Sequence, residues 1–200
     1  WCFNSAVRLK MIKEEYGEKV EIEPRVFMLR PEPDPTAVFN DYRRGNWERC
    51  NDQPESGEYN MWEGGGDYPI CSMPSAQAGL AARAQGLEKW DAFHMNLLAA
   101  LFTDSRDITT LDVLCDVAEK SGLDVDLFRE EVASELHHDN AIKEYTEAIN
   151  RGITGIPTVV VNGEAMLVGA VPRENYRSVI NQILENGELP KQATPGLSQL

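Results

Sequence analysis

Positive charge is in short supply. Nineteen Lys and Arg stand against thirty-three Asp and Glu, a net charge of −14. That balance disfavours nucleic acid and anionic membrane surfaces as partners and favours solubility. Long apolar runs are missing too. Nothing approaches the ~20 residues a membrane-spanning helix requires. Cysteine is scarce: Cys2, Cys50, Cys71 and Cys115, with no C-x-x-C pair inside the sequence. The spacing excludes a zinc ribbon or finger. Four scattered cysteines in 200 residues also do not form the dense framework of a small secreted disulfide scaffold. This leans towards a reducing, cytoplasmic setting. Of the three histidines, His137 and His138 are sequence neighbours, followed by Asp139. Neighbours on a helix point about 100° apart and do not share one ligand sphere, so no metal site is expected. His94 lies beside an apolar helical face and reads as a core or rim residue.

What the chain does have is a distinctive stretch from Arg151 to Gly169, RGITGIPTVVVNGEAMLVG. Gly152 can close a preceding helix. Ile156-Pro157 introduces a strand over Thr158–Val161, with proline where no ladder N–H is needed. Asn162-Gly163 favours a two-residue type I′ turn, and Met166–Val168 returns as the partner strand. By itself this is an ordinary helix followed by a hairpin.

At the other end, Trp1-Cys2-Phe3-Asn4-Ser5-Ala6 opens a helix over Phe3–Tyr16. Phe3, Val7, Leu9, Ile12 and Tyr16 make its apolar stripe, and Gly17 stops it. Unpaired N–H groups and the helix dipole at Cys2 predict a lowered thiol pKa. The alternative is an inert cysteine that packs the helix start. Taken together, the two ends resemble the DsbA-like branch of the thioredoxin superfamily, including FrnE-type oxidoreductases. Trp1-Cys2 looks like the last two residues of a Cys-Pro-Trp-Cys-type motif. Ile156-Pro157-Thr158 looks like the family's cis-proline loop. On this resemblance the attacking cysteine and the strand before it would lie upstream of Trp1. A chain trimmed inside the motif is therefore expected.

Between the two ends, Val20–Leu29 alternates and then turns continuously apolar, which predicts a strand, with Pro24 interrupting its first half. Arg30–Pro74 is irregular and proline-rich. It carries Trp47, Tyr59, Trp62 and Tyr68, which either pack this segment onto the domain or line a peptide groove. Packing is the simpler reading. Ser75–Val132 reads as helical throughout. Ser75 is the expected cap of an alanine-rich helix running to Gly86. Trp90, Phe93, Leu97, Leu101 and Phe102 form one face. Further helices begin at Thr109 and near Asp124. Cys115 sits at an apolar position, as a small buried hydrophobe would. Ala141–Asn150 leads into Gly152, and Pro172 opens a last helix that ends at Gly187. Leu189–Leu200 reads as a frayed tail.

The expected fold is α/β, thioredoxin-like, with a helical insertion and its first strand missing. Residues 1–30 and 141–187 would form the two thioredoxin-like parts, residues 31–140 the loop-rich and helical insertion, and residues 188–200 the tail. The resemblance implies thiol–disulfide exchange. Cys2 would be the resolving thiol and Pro157 the cis-proline. Trp1, Gly155, Ile156 and Thr158 would shape the substrate loop. The expected partner is a disulfide- or dithiol-containing protein or a small thiol, with glutathione as a co-substrate and no resident cofactor. Cys50 and Cys71 stand far from Cys2 in sequence and are not expected to replace the missing thiol. Two other readings remain open. One is a glutathione-dependent isomerase or transferase of the same superfamily, against which Cys2 argues. The other is a non-catalytic thioredoxin-like binding or chaperone module.

Overall fold

The computed structural model describes residues 1–64, 68–189 and the backbone of 197–199. Helix α1 (Cys2–Tyr16) packs its Ile12 against Leu167, Val171, Tyr176 and Val179. These residues belong to the C-terminal hairpin, the chain just after it and the last helix. The hairpin is β1 (Thr158–Val161) and β2 (Ala165–Val168), paired antiparallel with Val161 opposite Ala165. Asn162 and Gly163 both have positive φ, 50° and 75°, as a type I′ turn demands. The Glu164 N–H closes on Val161 O, yet Val161 pairs with Ala165. The loop is thus one residue longer than the dipeptide predicts. A short β3 (Leu197–Gln199) adds to β2, so part of the expected frayed tail extends the sheet; residues 190–196 and 200 of that tail lie outside the described residues.

The expected strand over Val20–Leu29 does not form. Burial alternates from Glu21 to Val26, as in a strand, and Met28 is buried, but no partner strand pairs with it among the described residues. Two of its backbone groups are satisfied by side chains instead. Val26 N–H donates to Glu144 Oε2 at 2.8 Å, and Pro24 O accepts from the Arg83 guanidinium at 2.6 Å. Proline has no N–H, and these side-chain partners hold an extended segment without a ladder.

A helix the sequence reading missed, α2 (Asp41–Asn51), lies inside the proline-rich region, capped by Asn40 through Arg43 N–H. The helical block follows as α3 (Met73–Ala84), α4 (Leu87–Phe102), α5 (Leu111–Lys120) and α6 (Val125–Ala133). Its core is Ala78, Ala81, Ala82, Phe93, Leu97, Leu114, Cys115, Ala118 and Phe128. The alanines of α3 let the helices approach closely. Ser75 is inside α3, not its cap. The N-cap is Ser72, and the Ser75 hydroxyl donates to Ile108 O at 2.8 Å. Asp124 caps α6 through Leu127 N–H. Helix α7 (His138–Asn150) starts three residues earlier than its apolar pattern, and α8 (Arg173–Asn186) ends at left-handed Gly187.

Trp47, Tyr59 and Tyr68 are buried and, with Phe3, Cys50 and the partly buried Phe39, Trp62 and Phe102, form one aromatic cluster. Trp47 meets Phe102 edge-on at 5.1 Å and Phe39 at 4.9 Å. These rings pack the irregular segment onto α1 and α4.

Candidate thiol site

Cys2 begins α1, and its thiol is partly buried. Burial raises its pKa; the neighbouring amino group opposes this and Cys50 adds to it. The net direction is upward, opposite to the lowering expected at a helix N-terminus, because burial removes the thiolate from water. Trp1 is 41% exposed.

The surroundings of Cys2 are built by a residue no motif pointed to. Asn4 is fully buried, one turn into α1. Its amide Nδ2 donates to Cys50 O at 2.9 Å, and its Oδ1 accepts from Gly57 N–H at 3.2 Å. Both ends of the α2–Tyr59 segment are thereby pinned to the start of α1. Gly57 passes so close to Phe3 that a Cβ there would lie 2.3 Å from the ring. Cys50, 1% exposed, is held with its Sγ 3.3 Å from the Trp1 backbone nitrogen. Tyr59 is 4% exposed, and its hydroxyl has no partner at hydrogen-bond geometry. Burial raises its pKa strongly, the Cys50 and Cys2 thiols add to this, and the Asn4 backbone opposes it. Cys50, distant from Cys2 in sequence, thus belongs to the same site. Cys71 does not: its sulfur lies against Pro31 O and Met73 N–H in another loop. Cys115 is buried in the helical core.

The second half of the expected site is the loop before β1. The Ile156–Pro157 peptide is cis. Thr158 Oγ1 donates to Gly155 O at 2.9 Å, which closes the loop on itself. Gly155, Ile156, Pro157 and Thr158 are all partly exposed. The link to α1 runs through the end of β2. Gly169 N–H donates to Pro157 O at 2.9 Å. The next two carbonyls, Ala170 O and Val171 O, accept from the buried Arg8 guanidinium at 2.7 and 3.0 Å. Arg8 also donates to Pro54 O at 2.8 Å. One cation on α1 therefore ties the proline loop and the Cys50 segment to the Cys2 helix. Ser5 adds a 3.2 Å contact to the Tyr176 hydroxyl of α8.

The histidines lie elsewhere. His137 pairs with Glu131 at 2.9 Å, while His138 pairs with Asp139 at 3.2 Å, so the two neighbours face different partners. His94 stacks on Trp90 with centroids 4.7 Å apart.

A family model described as the DSBA-like thioredoxin domain matches residues 72–181, from the start of α3 into α8. The chain belongs to the DsbA-like thioredoxin-domain family. Within this family of thiol–disulfide oxidoreductases, the matched span contains the helical block, the Ile156–Pro157 loop and the hairpin. Cys2 lies outside it. YwbO of Bacillus subtilis, an uncharacterized protein, is 26% identical over 82% of this chain and 83% of its own length. SpxH of Bacillus subtilis, a ClpXP adapter protein, is 25% identical over 64% of this chain and 46% of its own length. Among solved structures, a protein from Nitrosomonas europaea described as a candidate protein disulfide isomerase superposes with a TM-score of 0.71. It covers 94% of this chain and 93% of its own, at 19% identity. The fold is accordingly thioredoxin-like α/β with a helical insertion.

Proposed function

We infer that this DsbA-like chain exchanges disulfides with a protein or small-thiol substrate and that Cys2 acts as the resolving thiol. The observation that carries the reading is Cys2 in the first turn of α1, with its helix tied through Arg8 to the loop bearing Pro157. A substrate disulfide is attacked by a thiolate, which forms a mixed disulfide and releases one substrate thiol. Cys2 then attacks the enzyme sulfur of that bond and expels the second substrate thiol. The substrate is reduced and the enzyme pair oxidised. A thiol that burial keeps protonated is a weak first attacker. It suits the second role, where the target bond is delivered beside it and proximity replaces thiolate fraction. The attacking thiol follows from the family resemblance and would precede Trp1. The partly exposed Gly155–Thr158 loop would take substrate main chain, with Trp1 as the outer wall. No bound cofactor enters this scheme, and glutathione would serve as co-substrate.

The test is turnover of a protein disulfide by the natural full-length protein against its Cys2→Ala variant. The variant should accumulate the mixed disulfide with substrate and lose turnover. Turnover at the unaltered rate would remove Cys2 from the reaction. A second reading, a thioredoxin-like binding module, is favoured by the similarity to an adapter protein. It predicts partner capture that survives Cys2→Ala.

A further inference from the structure

Three cysteines besides Cys2 are present, and only one of them shares its surroundings. Cys50 Sγ lies 3.3 Å from the nitrogen of Trp1, the residue joined directly to Cys2. Trp1 is bonded to Cys2, and Cys50 is close enough to act electrostatically on the Cys2 thiol. The approach is built, not incidental. Asn4, fully buried, fixes the Cys50 carbonyl and the Gly57 N–H to the first turn of α1. Tyr59 closes the other side with a buried hydroxyl that has no hydrogen-bond partner and faces the thiol cluster. An unpartnered buried hydroxyl costs stability.

We propose that Cys50 is a second resolving thiol, which attacks a mixed disulfide formed on Cys2 and closes an intrachain Cys2–Cys50 bond. The reaction is balanced within the named groups. Slow exchange of the largely protonated Cys2 thiol with an excess of a small disulfide RS–SR gives Cys2–S–S–R and RSH. Cys50 sulfur then attacks Cys2 sulfur, the S–S bond to R breaks, and RSH departs with the Cys50 proton. The net change is oxidation of two protein thiols and reduction of one small disulfide. This inference needs no thiol beyond the residues described and does not depend on the upstream attacker of the proposed function. It gives Cys2 a way to discharge an adduct when no other thiol reaches it.

The experiment treats the intact folded protein with glutathione disulfide, quenches with acid, alkylates free thiols and maps disulfides by mass. Glutathione should appear on Cys2 transiently and give way to a Cys2–Cys50 cross-link, with Cys71 and Cys115 still alkylated. In Cys50→Ser the cross-link is lost and glutathione stays on Cys2. If that variant does not fold, the order of species in the unaltered protein decides the matter. Stable glutathione on Cys2 with Cys50 still reduced would overturn the proposal. So would a cross-link that forms only in urea, or one that joins two chains. Turnover that depends on Cys2 while Cys50 stays reduced would sink this inference alone. A cross-link in a protein that turns over no substrate would sink the oxidoreductase reading alone.

Discussion

Asn4 carries more of the site than its place in the sequence suggests. It is a polar residue in the apolar start of α1, and its two hydrogen bonds join α1 to Cys50 and Gly57. Asn4→Ala leaves the buried Gly57 N–H without a partner, at roughly 1–3 kcal/mol, while Cys50 O still accepts from Gln53 N–H. A loss of about 1–3 kcal/mol in urea unfolding is expected, together with faster alkylation of Cys50. Unchanged Cys50 reactivity would separate the thiol from this anchor. His94 makes a prediction about pH. Burial lowers its pKa to about 4, against the small raising effect of Asp91. In the unfolded chain it titrates near 6.5. The unfolded state therefore binds the extra proton first as pH falls, and the contribution present above pH 6.5 is lost on the way down to about 4. His94→Phe keeps a ring on Trp90 but has no proton to bind. Its stability should fall less than that of the unaltered protein across this window, and parallel urea midpoints would contradict the assignment. Neither role was legible from residue type. The sequence reading put His94 beside an apolar face as a core or rim residue, and the structure adds its stacking on Trp90.

At the scale of elements, the segment from Val20 to Leu29 shows how far pattern reaches. Its period-two alternation was readable, and the alternating burial from Glu21 to Val26 matches it. A strand is a pairing, however, and pairing depends on a neighbour that local pattern does not supply. Glu144 of α7 takes that place. It accepts from Val26 N–H and pairs with Arg83 of α3 and, at 3.6 Å, with Arg25. Glu144→Gln removes the charge from a nearly buried carboxylate beside two cations. With Arg83 partly exposed, a loss of about 1–2 kcal/mol is expected, with faster amide exchange at Val26. Retained exchange protection at Val26 would show that the segment holds itself. Gly57 makes the complementary case through volume. A methyl group there would overlap the Phe3 ring, and overpacking typically costs 1–3 kcal/mol. Gly57→Ala should therefore destabilise the protein by about 2 kcal/mol and loosen the Tyr59 segment from α1. An unchanged denaturation midpoint would show that Phe3 yields freely. Helix α2 was missed because Pro31, Pro33, Pro35, Pro54 and Pro69 dominate the composition around it. Those prolines flank the helix, and Asn40 starts it with an ordinary cap.

Across the whole molecule, a net charge of −14 means that self-repulsion opposes compaction. Screening shortens the reach of that repulsion to roughly 8 Å at physiological ionic strength. The melting temperature should therefore rise as salt increases from low ionic strength to about 0.15 M. A flat profile would mean that local ion pairs, such as Arg177 with Glu15 at 2.7 Å, already offset the excess. The sequence by itself determined α1 with its glycine stop, the hairpin with its Asn162-Gly163 turn, the helix that Pro172 opens and Gly187 ends, and the alanine-lined helical block. Each of these depends on contacts within a few residues or on a strict repeat of apolar positions. Only the tertiary structure decided that Cys50 stands beside Cys2, that Arg8 ties the Pro157 loop to α1 through Ala170 and Val171, and that burial raises the Cys2 pKa. Local sequence fixes where a thiol sits on its helix. The burial around that thiol, and the second sulfur beside the start of its helix, come from a segment about fifty residues away in sequence, packed there through the aromatic cluster.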